Sequence, residues 1–449
     1  MVWVVSGRDE SELYARAARL QGFVAEHGDV DLADVGLSLA AAMPGAHRAA
    51  VVGRDRPGLL RGLAALAKGD RTGGLVRGVA AKTVPGVVFV FPGQGAQWAG
   101  MAVDLLASSP AFARRMAECD RALSSFVDWS VLDVVHGMPD APPLERVDVV
   151  QPVLFAVMVS LAHVLRTYGV EPTAVVGHSQ GEIAAACVAG ILSLPDAARV
   201  VSLRSRLLRE RGEAGGMIVV ALGPERVRDL LSPWADRLAI AAVNGPESVV
   251  VSGEVAALEE FERTLSARRA LRLRVPGVQF TAHSAQIDGL EDPLREWLGP
   301  IRPEPGDVGI FSTVQCRWLT GTEMDVGYWF RNLRDPVRFE EATRRLVADG
   351  HLIFVEVSAH PVLVPGLRET LESIPVPRTN ALGLLRRDDG DLGRLLTTVA
   401  ELHVHGVEVD WPAVFAGHNA RCVTSPTAPC PATSTLRRPS WVGTIPTSG

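Results

Sequence analysis

The chain has 449 residues, too many for a single compact core, which predicts two or three folding units. Hydrophobic residues make up 47% of it and charged residues 21%, so there is ample material for buried cores. The formal net charge of −6 excludes the broad basic surface of a nucleic-acid-binding protein, although local arginine clusters can still bind an anionic substrate.

Residues 1–85 are predicted to form a small α/β unit. Its expected elements are a strand over Val2–Ser6, a helix from Glu10 to about His27, an alternating segment around Val51 and a helix over Leu59–Ala67. No combination of residues in this stretch suggests catalysis. The amino terminus lacks the basic start and the apolar run of a secretion signal.

A parallel-sheet pattern follows. The apolar runs Val87–Phe91 and Ala174–Val176 are typical of strands buried on both faces. Between them, the apolar stretch from Val149 to Leu165 is interrupted by polar residues and falls short of the about 20 apolar residues of a membrane span, so we expect a buried helix. Pro195 and Asp196 open a further helix, predicted to end near residue 211. The remaining sheet strands are predicted at Val308–Phe311 and Leu352–Val357.

The segment between residues 216 and 275 has a different pattern, β-α-β-β-α-β, which is the split βαβ or ferredoxin-like arrangement. Its predicted elements are Met217–Leu222, Pro224–Leu231, Leu238–Val243, Ser248–Ser252, Glu254–Ala267 and Leu271–Val275. We interpret this segment as an inserted subdomain.

Past residue 385 the pattern changes again. A helix over Leu392–Val404 and a short strand or extended piece over Val407–Trp411 are predicted. A Thr-, Ser- and Pro-rich tail starts at Arg421, and we expect it to be irregular. The five cysteines are scattered through the chain without CxxC spacing, which predicts neither a metal site nor a disulfide framework. We therefore expect reduced thiols in a cytoplasmic protein.

The clearest chemical motif is Gly177-His178-Ser179-Gln180-Gly181, a G-x-S-x-G nucleophile elbow. A sharp strand-to-helix turn would expose the Ser179 hydroxyl, and the amino terminus of the following helix would direct N–H groups towards it. The backbone N–H of Gln180 is therefore a candidate donor to an oxyanion. Such a motif also arises by chance in loops, but the preceding strand and the following helix favour a nucleophile.

A serine nucleophile needs a base, and the usual one is histidine. Eleven histidines compete for this role. His178 adjoins the nucleophile, but neighbours on a tight turn point in different directions. His360, His403 and His405 lie downstream, and His283 follows the predicted insert. The residues alone leave the choice among them open.

Two further features can bind anions. The loop Phe91-Pro92-Gly93-Gln94-Gly95 ends a buried strand, and it fits either a group of converging N–H donors or an ordinary tight turn. It lacks the spacing of nucleotide-binding loops. The helix after Pro195 carries arginines, one of which, turned inward, could bind a carboxylate with its planar guanidinium. The sequence does not say which of these turns in: Arg199, Arg204, Arg206, Arg209 or Arg211.

The motifs FPGQGAQWAGM (91–101), GHSQGE (177–182), AVNGPESVVVSG (242–253) and AHSAQ (282–286) together resemble malonyl-type acyltransferase domains of modular type I polyketide synthases. These domains transfer a malonyl or substituted malonyl unit from coenzyme A (CoA) to the phosphopantetheine thiol of an acyl carrier protein. The resemblance implies an α/β-hydrolase-like core with a parallel sheet and a ferredoxin-like insert. It also implies a CoA thioester substrate and no bound cofactor or metal. The implied partners are the carrier protein, the ketosynthase and other synthase domains, without nucleic acid or membrane.

The resemblance also implies roles for residues that the sequence alone left undecided. Ser179 and His283 would form a catalytic dyad without a triad carboxylate, and backbone carbonyls would orient the histidine ring. The backbone N–H groups of Gln94 and Gln180 would form the oxyanion hole. Arg204 would bind the free carboxylate of the acyl unit.

Substrate choice is a finer implication. Gln151 matches a pocket glutamine of the family, and Gln180 and the RVDVVQ stretch (146–151) resemble domains that take methylmalonyl units. Phe280-Thr281-Ala282 stands where those domains usually have Tyr-Ala-Ser, and we expect it in the pocket wall. We therefore expect a 2-substituted malonyl unit, methylmalonyl first and ethylmalonyl or larger second. The alternatives are a malonyl-specific acyltransferase, a serine hydrolase or thioesterase with an acidic triad member, and a non-catalytic domain.

The resemblance further divides the chain. Residues 1–85 would be a ketosynthase-to-acyltransferase linker, 86–215 with 276–385 the large subdomain, and 216–275 the small subdomain. Residues 386–449 would be a post-acyltransferase linker with an irregular tail, and the Thr/Ser/Pro-rich composition of 421–449 departs from the family pattern.

Overall fold

The computed structural model describes residues 1–81, 86–211, 214–275 and 277–422. The chain forms two compact units. One consists of residues 1–78 with the described part of 414–449, and the other of residues 79–413.

The first unit is a three-stranded sheet with helices packed on it. Its elements are β1 (Val2–Gly7), α1 (Glu10–Glu26), α2 (Leu32–Ala40), β2 (His47–Val52), α3 (Arg56–Lys68) and β3 (Leu75–Val79). The strand order is β1-β2-β3, with β1 and β2 antiparallel. Each helix starts at an aspartate whose carboxylate accepts a backbone N–H of the first turn, namely Asp9, Asp31 and Asp55. Helix α2 and strand β3 were not predicted from the sequence.

The second unit begins with the first half of a larger sheet and its helices. These elements are β4 (Val87–Phe91), α4 (Val103–Ser108), α5 (Pro110–Leu123), α6 (Val131–His136), α7 (Val147–Thr167), β5 (Ala174–Gly177), α8 (Gly181–Val188) and α9 (Leu194–Arg211). The insert follows with β6 (Gly216–Val220), α10 (Pro224–Leu231), β7 (Leu238–Gly245), β8 (Ser248–Gly253), α11 (Val255–Ala267) and β9 (Arg272–Arg274).

The chain then returns to the larger sheet. The elements of this part are α12 (Glu291–Leu298), β10 (Gly309–Ser312), β11 (Arg317–Leu319), α13 (Val326–Arg334), β12 (Val337–Arg338), α14 (Phe339–Ala348), β13 (Ile353–Glu356), α15 (Val364–Glu372), β14 (Asn380–Gly383), α16 (Leu392–Val404) and α17 (Trp411–Phe415).

The larger sheet has six strands in the order β11-β10-β5-β4-β13-β14, and all its neighbouring strands are parallel except β10 and β11. Every residue of the central strands β4 and β5 is buried, as their apolar runs predicted. Phe91 at the end of β4 pairs with Gly177 at the end of β5. The loops that follow these two strands therefore begin side by side, at the edge where parallel sheets bind ligands.

The insert forms a second sheet with the order β12-β7-β8-β6-β9. The four strands from the insert pair antiparallel with one another, and β7-β8-β6-β9 is the strand order of a ferredoxin-like fold. The predicted α/β core with its ferredoxin-like insert is thereby confirmed. The fifth strand, β12, comes from Val337–Arg338 and pairs parallel with β7, outside the predicted limits of the insert.

Helix α7 is long and apolar enough to cross a membrane, but 94% of its most apolar 18-residue stretch is buried inside the protein. It packs against α5 and α9. The sequence predicted a buried helix here, and the surrounding helices account for its continuous apolar surface.

The region after residue 385 differs from the expectation in two places. Helix α16 contacts the end of β14, where the Thr398 hydroxyl donates to the Gly383 carbonyl (3.2 Å). This helix belongs to the second unit, which extends to residue 413. Residues 407–410 form no strand, and Trp411 instead begins α17. The expected irregular tail lies outside the described residues beyond Cys422.

Candidate active site

Ser179 lies in the turn between β5 and α8 with a φ of +53°, a left-handed conformation that is strained for a serine. The neighbouring positions leave no room for a side chain. A Cβ on Gly177 would lie 2.2 Å from the backbone N of Glu182, and one on Gly181 would lie 2.1 Å from the Phe91 carbonyl oxygen. The elbow is therefore pressed against the end of β4, and the serine side chain faces the cavity.

His283 is the histidine that meets this serine. The Ser179 Oγ lies 2.8 Å from His283 Nε2, and His283 Nδ1 lies 2.8 Å from the backbone carbonyl oxygen of Asp335. A carbonyl oxygen can only accept, so Nδ1 carries the hydrogen and Nε2 is left to accept the serine proton. The pKa of His283 is lowered to about 3, chiefly by burial; the bond to Asp335 opposes this shift, and the charge of Arg204 contributes to it. The ring is therefore neutral and able to act as a base.

The other candidate histidines are placed elsewhere. His178 Nε2 lies 2.8 Å from Asn244 Oδ1, and burial lowers the pKa of His178 to about 4. It lines the cavity, but it contacts the asparagine and not the serine. His360, His403 and His405 do not line the cavity. The tertiary structure thus makes the choice that the residue pattern left open.

Arg204 is the arginine of α9 that turns inward, and its side chain is only 1% exposed. Its Nη1 donates to Gln151 Oε1 (3.1 Å) and its Nη2 to Asn332 Oδ1 (3.4 Å). Within the described residues no carboxylate lies within 4 Å of it, and its Nε has no partner. Burial lowers its pKa to about 10, and the charge of Glu182 opposes this shift. The cavity therefore contains a buried cation without a direct counter-ion.

A signal in the sequence could have found this residue. Val201, Arg204 and Leu208 are spaced i, i+3, i+7 and are all buried, so Arg204 lies on the apolar face of α9. The other arginines of the helix are partly or fully exposed, namely Arg199, Arg206, Arg209 and Arg211.

A buried polar network joins the nucleophile elbow to Arg204. Glu182 accepts hydrogen bonds from the Thr313 N–H (2.6 Å) and hydroxyl (2.8 Å) and from the Tyr328 hydroxyl (2.7 Å). Asn332 Nδ2 donates both to Glu182 (2.9 Å) and to the Ser179 carbonyl (3.1 Å). Burial raises the pKa of Glu182, and these hydrogen bonds oppose the shift. Because Asn332 also accepts from the arginine, one side chain contacts the Ser179 backbone, the buried carboxylate and the buried cation.

The sequence analysis did not identify this network. Glu182 closes the GHSQGE motif, which was its only signal. Asn332 had none, because it lies on an amphipathic helix 153 residues after the serine it contacts.

The two candidate oxyanion donors both line the cavity. Among the described residues, neither the Gln94 nor the Gln180 backbone N–H donates to a protein acceptor. The Gln94 side chain donates to the Gly277 carbonyl (3.1 Å). The Gln180 side chain is 2% exposed, and its amide nitrogen and oxygen have no partner in the described part of the chain. Two N–H groups and one amide are thus available to a ligand.

The cavity has a volume of about 440 Å³. Gln151, Phe280 and Ala282 line it. Thr281 does not line the cavity, which differs from the expectation. A Cβ on Gly215 would lie 2.4 Å from the Thr281 methyl carbon, so this side chain points towards Gly215. Adjacent residues of an extended segment point to opposite sides, which explains why Thr281 faces away from the cavity between Phe280 and Ala282. The rest of the wall is largely apolar and includes Leu208, Met217, Val219, Val250, Val275 and Val278.

A profile of the acyl transferase domain family matches residues 88–409, which is most of the chain. The chain belongs to the acyl transferase domain family. It is 51% identical over 426 residues to polyketide synthase GfsA of Streptomyces halstedii and 50% identical over 417 residues to erythronolide synthase EryA2 of Saccharopolyspora erythraea. These alignments cover 94% and 92% of this chain but only 6% and 12% of the two relatives.

A solved acyltransferase domain has the same fold. The crystal structure of the domain from module 8 of the salinomycin polyketide synthase is 46% identical to this chain, with a TM-score of 0.88, and the match covers 92% of this chain and 97% of that one. The predicted family, acyltransferase domains of modular polyketide synthases, is confirmed, and this acyl transferase domain is an acyl-transferring enzyme.

Proposed function

We propose that this domain loads a 2-substituted malonyl unit, methylmalonyl first, from its CoA thioester onto Ser179 and passes it to the phosphopantetheine thiol of an acyl carrier protein. The observation that carries the proposal is the buried Arg204 without a carboxylate partner, in the same cavity as the Ser179–His283 pair. A cavity with a nucleophile and an uncompensated cation fits an acyl donor that carries a free carboxylate in addition to its thioester.

In the first half-reaction, His283 Nε2 takes the Ser179 proton as Oγ attacks the thioester carbonyl. The Gln94 and Gln180 N–H groups bind the oxyanion. When the tetrahedral intermediate collapses, the C–S bond breaks and His283 gives its proton to the leaving CoA sulfur. The products are acyl-Ser179 and CoA thiol.

The second half-reaction is the reverse with a different thiol. His283 takes the proton of the phosphopantetheine thiol as its sulfur attacks the acyl-serine carbonyl. The C–O bond breaks, and the proton returns to Ser179 Oγ. The bond from Nδ1–H to the Asp335 carbonyl holds the ring in place through both steps.

Arg204 determines which class of acyl donor the site binds. Its Nε is unpartnered and its Nη atoms are held by neutral amides, so a donor carboxylate would be its first directly bonded anion. A bidentate pair of this kind positions the acyl unit while the serine ester waits for the acceptor. A hydrolase or thioesterase would have no use for this cation.

The hydrolase alternative also requires a carboxylate next to the histidine. Here Nδ1 faces the backbone carbonyl of Asp335 and not a carboxylate. The neutral acceptor is sufficient to orient the ring, and a Ser–His dyad is the arrangement we propose.

A 2-substituent is accommodated by the apolar wall. Phe280 and Ala282 line the cavity, and the small Ala282 side chain would leave space there for a 2-substituent. Gln180 offers an unpartnered amide at the same wall. These features and the resemblance of RVDVVQ support methylmalonyl ahead of malonyl, with ethylmalonyl or larger second.

The deciding experiment is loading from an equimolar mixture of malonyl-, methylmalonyl-, ethylmalonyl- and acetyl-CoA. The mass of the acyl group on Ser179 is measured by peptide mapping, with Ser179→Ala as the control. We expect a methylmalonyl adduct that is absent from the control and that transfers to a carrier protein faster than it hydrolyses. Preference for malonyl overturns the extender choice. An adduct that persists in the control overturns the nucleophile, and hydrolysis that outpaces transfer favours a hydrolase.

The flanking regions carry a further part of the proposal. We propose that residues 1–85 are the linker from a ketosynthase, that 216–275 form the small subdomain, and that the chain after residue 385 is a post-acyltransferase linker. The support is the alignment with large synthases, of which this chain spans a small part. The ketosynthase and the carrier protein are the proposed partners.

A further inference from the structure

The last strand of the insert has an unusual composition. The seven residues from 268 to 274 read Arg-Arg-Ala-Leu-Arg-Leu-Arg, four arginines and no acid in a chain of net charge −6. We call this segment the β9 edge. Strand β9 is the outermost strand of the small sheet and pairs only with β6.

The side chains of the β9 edge divide between two faces. Arg272 donates to the Ser266 hydroxyl and Arg274 pairs with Glu262 through two hydrogen bonds of 3.0 and 2.8 Å, so both arginines lie on the side of α11. Leu271 and Leu273 alternate with them and lie on the other face. They are 77% and 68% exposed, which is uncommon for leucines in a strand.

The leucine face continues into the active site. Leu273 and Val275 line the cavity that contains Ser179. Leu271, on the same face of the strand, does not line it and extends the apolar surface outward. The mouth of the cavity thus has an apolar lip on one side.

Most of the charge at this lip is uncompensated. Within the described residues, Arg268, Arg269 and Arg272 have no carboxylate within 4 Å, and only Arg274 has one. Charged side chains on an edge strand discourage pairing with other sheets, but exposed leucines work against that purpose. Exposed leucines that alternate with arginines along an edge are instead typical of a protein-binding surface.

We propose that the β9 edge is the docking surface for the carrier protein, and that the carrier protein binds it through an acidic face. This inference rests on the proposed function, because it places the acceptor thiol at the cavity mouth. Charge complementarity favours an acidic partner. The exposed leucines outside the cavity favour a protein over the phosphates of CoA, since a nucleotide would use the arginines and leave the leucines exposed.

The test reverses the charge with the triple variant Arg268→Glu, Arg269→Glu, Arg272→Glu. Three reactions are followed: loading from methylmalonyl-CoA, transfer to a phosphopantetheinylated carrier-protein domain, and transfer to free pantetheine. At low ionic strength we expect kcat/KM for the carrier protein to fall about tenfold or more, with the deficit shrinking as salt is added. Loading and transfer to pantetheine should stay within about twofold of the parent, since rim charges away from the reacting atoms change mainly association with the large partner.

A matched triple variant separates docking from net charge. Arg114→Glu, Arg121→Glu, Arg302→Glu makes the same change at exposed arginines that do not line the cavity, and it should leave all three reactions unchanged. Leu271→Ser tests the apolar part independently, and it should slow transfer to the carrier protein alone, by about threefold to tenfold.

The outcomes distinguish the possibilities. Equal effects of the two triple variants, or a loss of transfer to both the carrier protein and pantetheine, overturn the docking surface. A loss confined to loading from CoA overturns it in favour of a nucleotide-binding role. Failure of the parent protein to load any donor would refute the proposed function instead, so the two failures are separable.

Discussion

Replacing Arg204 with methionine should separate donor recognition from acyl transfer. Methionine keeps much of the volume and removes the guanidinium. A donor carboxylate would then enter a cavity in which the described residues offer no cation in direct contact. Removing one partner of a desolvated charge pair costs about 2–5 kcal/mol, so kcat/KM for loading methylmalonyl-CoA should fall by about 30-fold to several thousand-fold. Propionyl-CoA, which lacks the carboxylate, should load at least as well as before.

The same substitution should have two opposing effects on the free energy of unfolding. Burial lowers the pKa of Arg204 from 12.5 to about 10, which corresponds to a cost of about 3 kcal/mol for keeping the charge buried at neutral pH. Methionine removes that cost, but it leaves Gln151 Oε1 and Asn332 Oδ1 without their donor, at about 1–3 kcal/mol each. The two lost hydrogen bonds together cost about 2–6 kcal/mol, which the removed burial cost partly offsets, so we expect the free energy of unfolding to change by at most about 3 kcal/mol.

The assay is rapid-quench loading of Ser179 with each donor separately, and urea denaturation provides the free energy of unfolding. Arg206→Met is the matched control, because Arg206 lies on the same helix, is exposed and pairs with Glu210 at 2.7 Å. It should not change the ratio of the two donors. An equal fall for methylmalonyl-CoA and propionyl-CoA in Arg204→Met would refute the assignment of the carboxylate site.

Three other predictions concern the same cavity. Because the pKa of His283 is lowered to about 3, the histidine stays neutral on mild acidification, and kcat/KM for loading should be constant from about pH 8 to pH 5. A fall in kcat/KM with its midpoint near the ordinary histidine pKa of about 6.5 would contradict this. Asn332→Asp places a carboxylate 3.4 Å from Arg204, where it competes with the donor, and it also removes the amide that donates to Glu182 and to the Ser179 carbonyl. Loading should therefore slow for both donors, while KM should rise about tenfold or more further for methylmalonyl-CoA than for propionyl-CoA. An equal rise for both would indicate a merely structural role. Ala282→Phe adds bulk to the cavity wall and should shift competition towards malonyl-CoA, whereas Thr281→Ala, outside the cavity, should not. The adduct masses measure both effects. A larger shift in the threonine variant would contradict the assignment of the wall.

Much of the local structure could be predicted because short-range physics determines it. The predicted and observed limits coincide for β4 (Val87–Phe91), α10 (Pro224–Leu231) and α16 (Leu392–Val404). In each case a proline, a cap or a change of apolar period lies at the boundary. Helix α2 was missed because nine residues offer too few turns for a periodic pattern, although Asp31 caps its start.

The sequence by itself predicted the turn that carries Ser179. Positions 177 and 181 require glycine because the turn has no room for a Cβ there. Since this requirement concerns neighbouring residues, it can be recognised as a short sequence motif. The resemblance then pointed to His283 and Arg204 before any geometry was available. The apolar spacing around Arg204 was a second signal, but it identifies a face of a helix and not what that face contacts.

Only the tertiary structure decided which groups meet in the cavity. Ser179 and His283 come within 2.8 Å although 104 residues separate them, and Asn332 reaches the Ser179 carbonyl from 153 residues away. The side chain of Thr281 was expected in the pocket and lies outside it, because backbone direction and not residue type selects the face. Contacts between distant segments depend on how helices and sheets pack, and no local pattern encodes that packing.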